Sequence, residues 1–334
     1  MPRNTVRWGV LGVARIATQK VIPAMQQGEW SPVVAIASRD RARAENAAAS
    51  LGLARAYDSY EALLEDSEID AIYNPLPNHL HVPWTKRAAE AGKHVLCEKP
   101  IAMNAAEART LLGVRDRTGV HIQEAFMVRV NPQWIRAVDE VKKGRIGDLR
   151  AVTGIFSYFN DDPANIRNKP EYGGGGLMDI GCYLINTARM IFGREPHRVA
   201  ATVERDPRSG TDIVTSLALD FAPGQATGVC STQMVPSQRV NVFGTRGRIE
   251  VEIPFNAPPD RPNRLFVDDG STLGQPQEII ELPVCNQYTV QGDLFSQAVR
   301  GLIPLPYPLE DSILNMKVID AAFRAADSGR WEAP

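Results

Sequence analysis

No stretch of this sequence approaches the roughly 20 consecutive apolar residues that a membrane-spanning helix needs, so no helical span is expected. Basic charge is not in excess either. Thirty-seven Lys and Arg face 39 Asp and Glu, a formal net charge of −2. A nucleic-acid binder would normally carry a basic surplus, and that class is set aside. Cysteine is sparse: Cys97, Cys182, Cys230 and Cys285 lie far apart and form no CxxC pair. His79 and His81 are one close pair without a cysteine near them, and two ligands do not make a zinc site. No metal is expected, and buried free thiols in a reducing compartment are. The N-terminal MPRNTVRWGVLG passes from polar residues straight into an apolar run, without a signal-like region or cleavage site. A cytoplasmic protein is the expectation.

What is present is an ordinary globular composition, 44% hydrophobic, in 334 residues. That length predicts two domains. Up to about residue 125, short apolar runs (6–11, 33–37, 69–73, 94–97, 121–124) alternate with helical stretches. This is the pattern of βαβ units and a doubly wound parallel sheet, whose loops share one edge. Beyond residue 126 the texture changes to strands at 150–158, 199–203, 213–221, 228–234, 238–243 and 247–253. Many of these alternate polar and apolar residues, as half-exposed antiparallel strands do. Helices are expected near 179–192, 290–300 and 310–328. The fold class is therefore α/β: a doubly wound domain over 1–125, then an α+β domain over 126–334 with a large, mostly antiparallel open sheet. The last helix is expected to pack back on the first domain.

The first strand runs into Gly12-Val-Ala14-Arg15-Ile16-Ala17. Small residues at 12, 14 and 17 would allow a tight turn, backbone approach to a pyrophosphate, and close packing of helix on sheet. Phosphates would then sit at the helix N-terminus. The same spacing also suits a tight turn with no ligand. At the end of the second strand, Ser38-Arg39 stands where an NAD site normally has an acid, with Asp40 one step later. A hydroxyl and a guanidinium suit a 2′-phosphate, and Arg15 could help hold it. NADP is expected ahead of NAD, with Asp40 on the ribose as the alternative.

Glu98-Lys99-Pro100 follows the fourth strand. A lysine there would point at the cofactor cleft, and burial beside a cationic nicotinamide would lower its pKa toward neutrality. Pro100 is a candidate cis proline. The motif also occurs as plain surface punctuation. Further on, Gly173–Gly176 precede Leu-Met-Asp179-Ile-Gly-Cys-Tyr183. The glycines predict a loop that approaches a ligand closely. Asp179 and Tyr183, four apart, would share a helix face and could bind and deprotonate a substrate hydroxyl. The alternative is a capping acid and a core tyrosine.

Together GVLGVARIA, ASRD, DAIYNPLPNHLH, AGKHVLCEKP, EAFMVRVNPQW, NIRNKPEYGGGGLMDIGCYLIN and NVFGTRGRIEVEIPFNAP resemble the Gfo/Idh/MocA family of NAD(P)-dependent oxidoreductases over nearly the whole chain. Tyr at 183, with ASRD and EAFM, is similar to the subgroup of glucose–fructose oxidoreductase, NADP-dependent D-xylose dehydrogenase and dimeric dihydrodiol dehydrogenase. The resemblance implies a Rossmann domain and a C-terminal domain whose sheet mediates a homodimer or higher homo-oligomer. It also implies Lys99 as the active-site lysine, Asp179 as a substrate-contacting acid and Tyr183 as the proton donor or acceptor.

On that footing NADP would lie against Gly12, Ala14, Arg15, Ile16, Ser38 and Arg39, its nicotinamide near Pro75, Asn78, His81, Glu98 and Lys99. Tyr183, its pKa lowered by Lys99, would take a hydroxyl proton while hydride leaves the same carbon of a sugar or cyclic diol. Asp179, Asn165 and Arg167 would orient substrate hydroxyls, and Arg129 with Arg167 leaves acidic sugars open. Asn131 stands where the subgroup has His, so substrate contacts there are expected to differ. No long leader like that of glucose–fructose oxidoreductase precedes the first strand, which again favours the cytoplasm. Two alternatives stay open: NADP held permanently and cycled between two sugars, and a non-catalytic sensor of NADP or a sugar.

Overall fold

The computed structural model describes residues 5–272 and 275–334. Two β-sheets organise them. The first contains β1 (Trp8–Leu11), β2 (Val33–Ala37), β3 (Arg55–Tyr57), β4 (Ala71–Asn74), β5 (His94–Cys97) and β6 (Ile122–Glu124). Their order is β3-β2-β1-β4-β5-β6, and every pairing is parallel. β1, β2 and β4 are buried at every residue, as strands covered on both faces must be. Helices start and stop where side chains can close them. Asp40 caps the helix Arg41–Leu51 by accepting from Arg43 N, and Asn104 caps Ala105–Thr118 by accepting from Glu107 N.

The described residues divide into two compact units. One runs to Met127 and takes in Asn286–Ile313; the other comprises Val128–Cys285 and Leu314–Pro334. The returning segment of the first unit is therefore the helix Gln287–Val299 with the start of the helix Leu309–Ser328. Its anchor is fully buried Trp8, whose ring lies 5.3 Å from that of Phe295 and whose Nε1 donates to Ser296 Oγ. Asp293 adds a polar tie, accepting from Glu29 N, Trp30 N and Ser31 Oγ.

The second sheet holds β7 (Leu149–Phe159), β8 (Arg198–Arg205), β9 (Asp212–Asp220), β10 (Gln225–Ser231), β11 (Gln233–Gly244), β12 (Arg248–Val251), β13 (Asn263–Asp268) and β14 (Glu278–Leu282). Its order is β14-β13-β12-β11-β7-β10-β9-β8, antiparallel except for β10 beside β7. Alternate residues (Val152, Phe156, Leu217, Leu219, Val240, Val242) are buried on one face. The helix Cys182–Phe192 is seated in that unit by Leu184. Gly154 and Gly228 are register partners on β7 and β10, and a Cβ on either would crowd the Leu184 methyl groups at 2.7 and 2.9 Å. Two adjacent glycines thus make the slot that fixes this helix on its sheet. Among the described residues, no helix is long and apolar enough to cross a membrane.

Candidate active site

In the first unit, parallel pairing brings the ends of β1, β2, β4 and β5 to one edge, and with them the predicted cofactor residues. Gly12 follows β1 with φ +83°, and a Cβ there would press on Leu76 and Tyr60. Val13 and Ala14 lead into a helix that opens at Arg15 and Ile16, whose buried Ala17 lets it lie close to the sheet. A glycine cradle opening onto a helix start suits a phosphate-bearing cofactor.

At the end of β2, Ser38 is buried and its Oγ accepts from Asp40 N. The Asp40 carboxylate is used as the helix cap. Arg39 and Arg15 are exposed, and among the described residues neither forms an ion pair or hydrogen bond. Arg43, which no motif singled out, reaches from the first turn of the same helix and donates to Val13 O at 3.0 Å. Only its position one turn beyond the Asp40 cap could have drawn notice.

Pro75 and the half-buried Asn78 stand beyond β4, and Glu98 and Lys99 beyond β5. The Lys99–Pro100 bond is cis. Alternate amides of this loop each donate to a carboxylate: Lys99 N to Glu98 Oε2 (3.3 Å), Ile101 N to Glu124 Oε1 (2.8 Å) and Met103 N to Glu107 Oε2 (2.8 Å). Tyr73 donates to the other Glu98 oxygen at 2.6 Å. His81 is 1% exposed, with Nδ1 2.7 Å from Pro100 O and Nε2 2.7 Å from Leu76 O. Burial pushes its pKa down to about 4, against the pull of the two carbonyls, and the Lys99 charge lowers it further. The structure thus gives His81 a bracing place between two loops rather than an exposed place against a ligand.

In the second unit, Asp179 lies in a π turn, Leu177–Gly181, that continues into the helix Cys182–Phe192 bearing Tyr183. Asp179 Oδ2 accepts from Arg167 Nε at 2.8 Å and from Tyr158 Oη at 2.5 Å. Asp179 and Arg167 are therefore brought together, while Tyr158 on β7 is a partner the sequence did not suggest. Asn165 Oδ1 is occupied by Arg167 N, closing the turn before it. Tyr183 is 5% exposed, its ring packed edge-on against Phe156 and tilted against Phe255. Arg129 sits half-buried on the short turn Met127–Val130.

Two conspicuous sequence features have folding roles. The glycine run comes close to the protein's own chain. Gly175 N donates to Arg167 O and Gly174 N to Lys169 O, and a Cβ on Gly175 would overlap the Asp212 carboxylate. Asp212, 1% exposed, accepts from Leu177 N and Thr215 Oγ1 and closes the start of the helix; burial raises its pKa. Asn131 is fully buried and caps the helix Pro132–Lys142 by accepting from Gln133 N, which is a folding role. No group of three or more metal-ligating side chains occurs among the described residues.

Comparison with known proteins places these features. Residues 6–126 match the oxidoreductase family with an NAD-binding Rossmann fold, and residues 134–250 match the GFO/IDH/MocA C-terminal domain. The chain belongs to the Gfo/Idh/MocA oxidoreductase family. Within that family it is 49% identical to an uncharacterized oxidoreductase of Rhizobium meliloti, over 98% of this chain and 99% of the relative. It is 38% identical to D-xylose 1-dehydrogenase (NADP(+)) 2 of Haloferax volcanii, over 96% and 98%. A solved 3-ketoreductase from Actinomadura kijaniata, in complex with NADP and TDP-benzene, is similar with a TM-score of 0.90 and 29% identity, over 96% and 98%. Structures of a lysine-to-alanine and a tyrosine-to-phenylalanine variant of that reductase match as well.

Proposed function

We propose that this chain is an NADP-dependent oxidoreductase that interconverts a hydroxyl and a carbonyl on a sugar or cyclic diol. The observation that carries the cofactor choice is the end of β2. Asp40, the group that would hold a ribose hydroxyl in an NAD site, is committed to a helix cap. Arg15 and Arg39 stand exposed without partners among the described residues, at the ends of the turns that follow β1 and β2. Two guanidinium groups and a hydroxyl suit a 2′-phosphate in charge and donor chemistry. The NADP-dependence in the name of the Haloferax relative and the NADP in the similar reductase support the same reading.

The bound dinucleotide supplies the hydride acceptor or donor. Tyr183 exchanges the proton of the reacting hydroxyl, and Lys99 carries the positive charge that such a proton transfer needs at neutral pH. Asp179 accepts from substrate hydroxyls. The lysine and tyrosine substituted in the Actinomadura reductase lie as many residues apart as Lys99 and Tyr183 do here, which supports giving these two a joint role.

The test is purified protein with NADP or NAD and a panel of aldoses, polyols and a trans-dihydrodiol, followed by reduced-nicotinamide absorbance. Growth of the signal with NADP and one substrate class is expected, and Lys99→Ala and Tyr183→Phe should each lower kcat/KM by at least roughly 100-fold. Turnover with NAD alone would overturn the cofactor assignment. Near-wild-type turnover in either variant would overturn its role.

A further inference from the structure

The side chains around Asp179 carry an inference about how the site holds its acceptor, resting on the reading of Asp179 as a substrate acceptor. Three groups from three elements meet there: Asp179 in the π turn, Arg167 in the preceding loop and Tyr158 on β7. Arg167 and Tyr158 donate to the same oxygen, Oδ2, at 2.8 and 2.5 Å, and the Asp179 side chain is only 14% exposed. Two donors on one carboxylate oxygen favour its charged form and hold its plane in one orientation. The charges of Asp179 and of Asp212 on β9 both act on Tyr158. Tyr158 is held well above a phenol's ordinary range, chiefly by burial and then by the Asp179 charge, so it stays protonated and remains a donor.

We propose that Tyr158 is a positioning residue that, with Arg167, keeps Asp179 a fixed, ionised acceptor for a substrate hydroxyl. The phenol reaches the carboxylate from β7 and Arg167 reaches it from the preceding loop, so the two donors fix it from two elements. Tyr158 also differs in role from Tyr183: the carboxylate it serves keeps its proton in place, so it is a poor candidate for proton exchange.

The experiment compares wild type with Tyr158→Phe, which keeps the ring and removes the donor. Carboxyl-carbon NMR on aspartate-labelled holoprotein, with Asp179→Asn assigning the signal, reads the positioning directly and requires no turnover. The Asp179 titration is expected to move upward by about one pH unit in Tyr158→Phe, the scale of one lost hydrogen bond to a charged group. In kinetics with D-xylose, KM should rise about 10-fold with kcat little changed, and the acidic limb of kcat/KM should move the same way. An unmoved Asp179 signal, or an unchanged KM in an enzyme that turns over, overturns the proposal. A wild-type protein inactive on every sugar with NADP overturns the proposed function instead, and the NMR titration still decides this one.

Discussion

Gly175 and Asp212 stand so close that a Cβ on the glycine would overlap the Asp212 carboxylate, and the glycine holds φ at +113°. That carboxylate in turn accepts from Leu177 N and Thr215 Oγ1, so the entry to the helix bearing Asp179 and Tyr183 is built on this approach. Gly175→Ala meets both a backbone conformation that L-residues rarely adopt and a buried charged neighbour. A loss of more than about 2 kcal/mol is expected from strain at such a position with displacement of a satisfied carboxylate. Urea unfolding should show it as a lowered midpoint at unchanged slope. A stability within error of wild type would mean that the turn is not the keystone of that helix.

Removing a guanidinium beyond β1 or β2 should alter cofactor choice more than catalysis. Arg39→Ala, and separately Arg15→Ala, leave Ser38 and the Asp40 cap intact. On the proposed function each would delete one charge-assisted contact to a 2′-phosphate, so KM for NADP should rise roughly 10- to 100-fold while KM for NAD stays within about 3-fold. Steady-state kinetics with both cofactors reads the ratio directly. Equal losses with NADP and NAD would place the arginines elsewhere than the discriminating phosphate.

The loop that carries Lys99 depends on a buried acid, the first residue of the EAFM segment, to which the sequence alone assigned no role. Glu124 is 1% exposed, and its Oε1 accepts from Ile101 N at 2.8 Å. Glu124→Ala orphans a buried amide, at a cost of about 1–3 kcal/mol, and releases the backbone next to Lys99. Glu124→Gln keeps an acceptor in place. The expected order in kcat is wild type, then Gln, then Ala, with the Ala variant down at least roughly 10-fold and NADP affinity falling less than kcat. Equal activity in all three would show that the neighbouring carboxylates of Glu98 and Glu107 hold the loop without it.

Much of this was legible because it repeats. Short buried runs separated by helices announce a parallel sheet, and the residues that directly follow the runs, Gly12, Ser38 and Lys99 among them, are thereby put at one edge. β3, β13 and β14 were not anticipated. β3 is three half-buried residues without an apolar run, and β14 buries only Ile280 and Leu282. The supporting residues were hidden for a different reason. Tyr158 lies 21 positions from Asp179, and Asp212 lies 35 from Leu177; each is an unremarkable strand residue until strand register brings it to its partner. The glycine run carries a demand of another kind: its composition is conspicuous, and at Gly175 the neighbour that requires glycine is Asp212, 37 residues away in sequence.

Acid should destabilise the first unit through two histidines. Burial pushes His81 and His94 each down to about 4 from the ordinary value near 6.5. For His94 the charge of neighbouring His121 acts in the same direction, and His94 Nδ1 must stay unprotonated to accept from His121 N. Between pH 6.5 and 4 both residues bind more protons unfolded than folded, so unfolding takes up protons and stability rises with pH across that window. Their contribution is complete above about pH 6.5 and is lost progressively as pH falls toward 4, by roughly 2–3 kcal/mol per residue at the bottom of the window. Urea unfolding at intervals from pH 7.5 to 4.5 should show the decline, and His94→Gln should remove about half of its slope. A stability flat across that range would mean that both rings are protonated when folded, with His81 donating to Pro100 O and Leu76 O together.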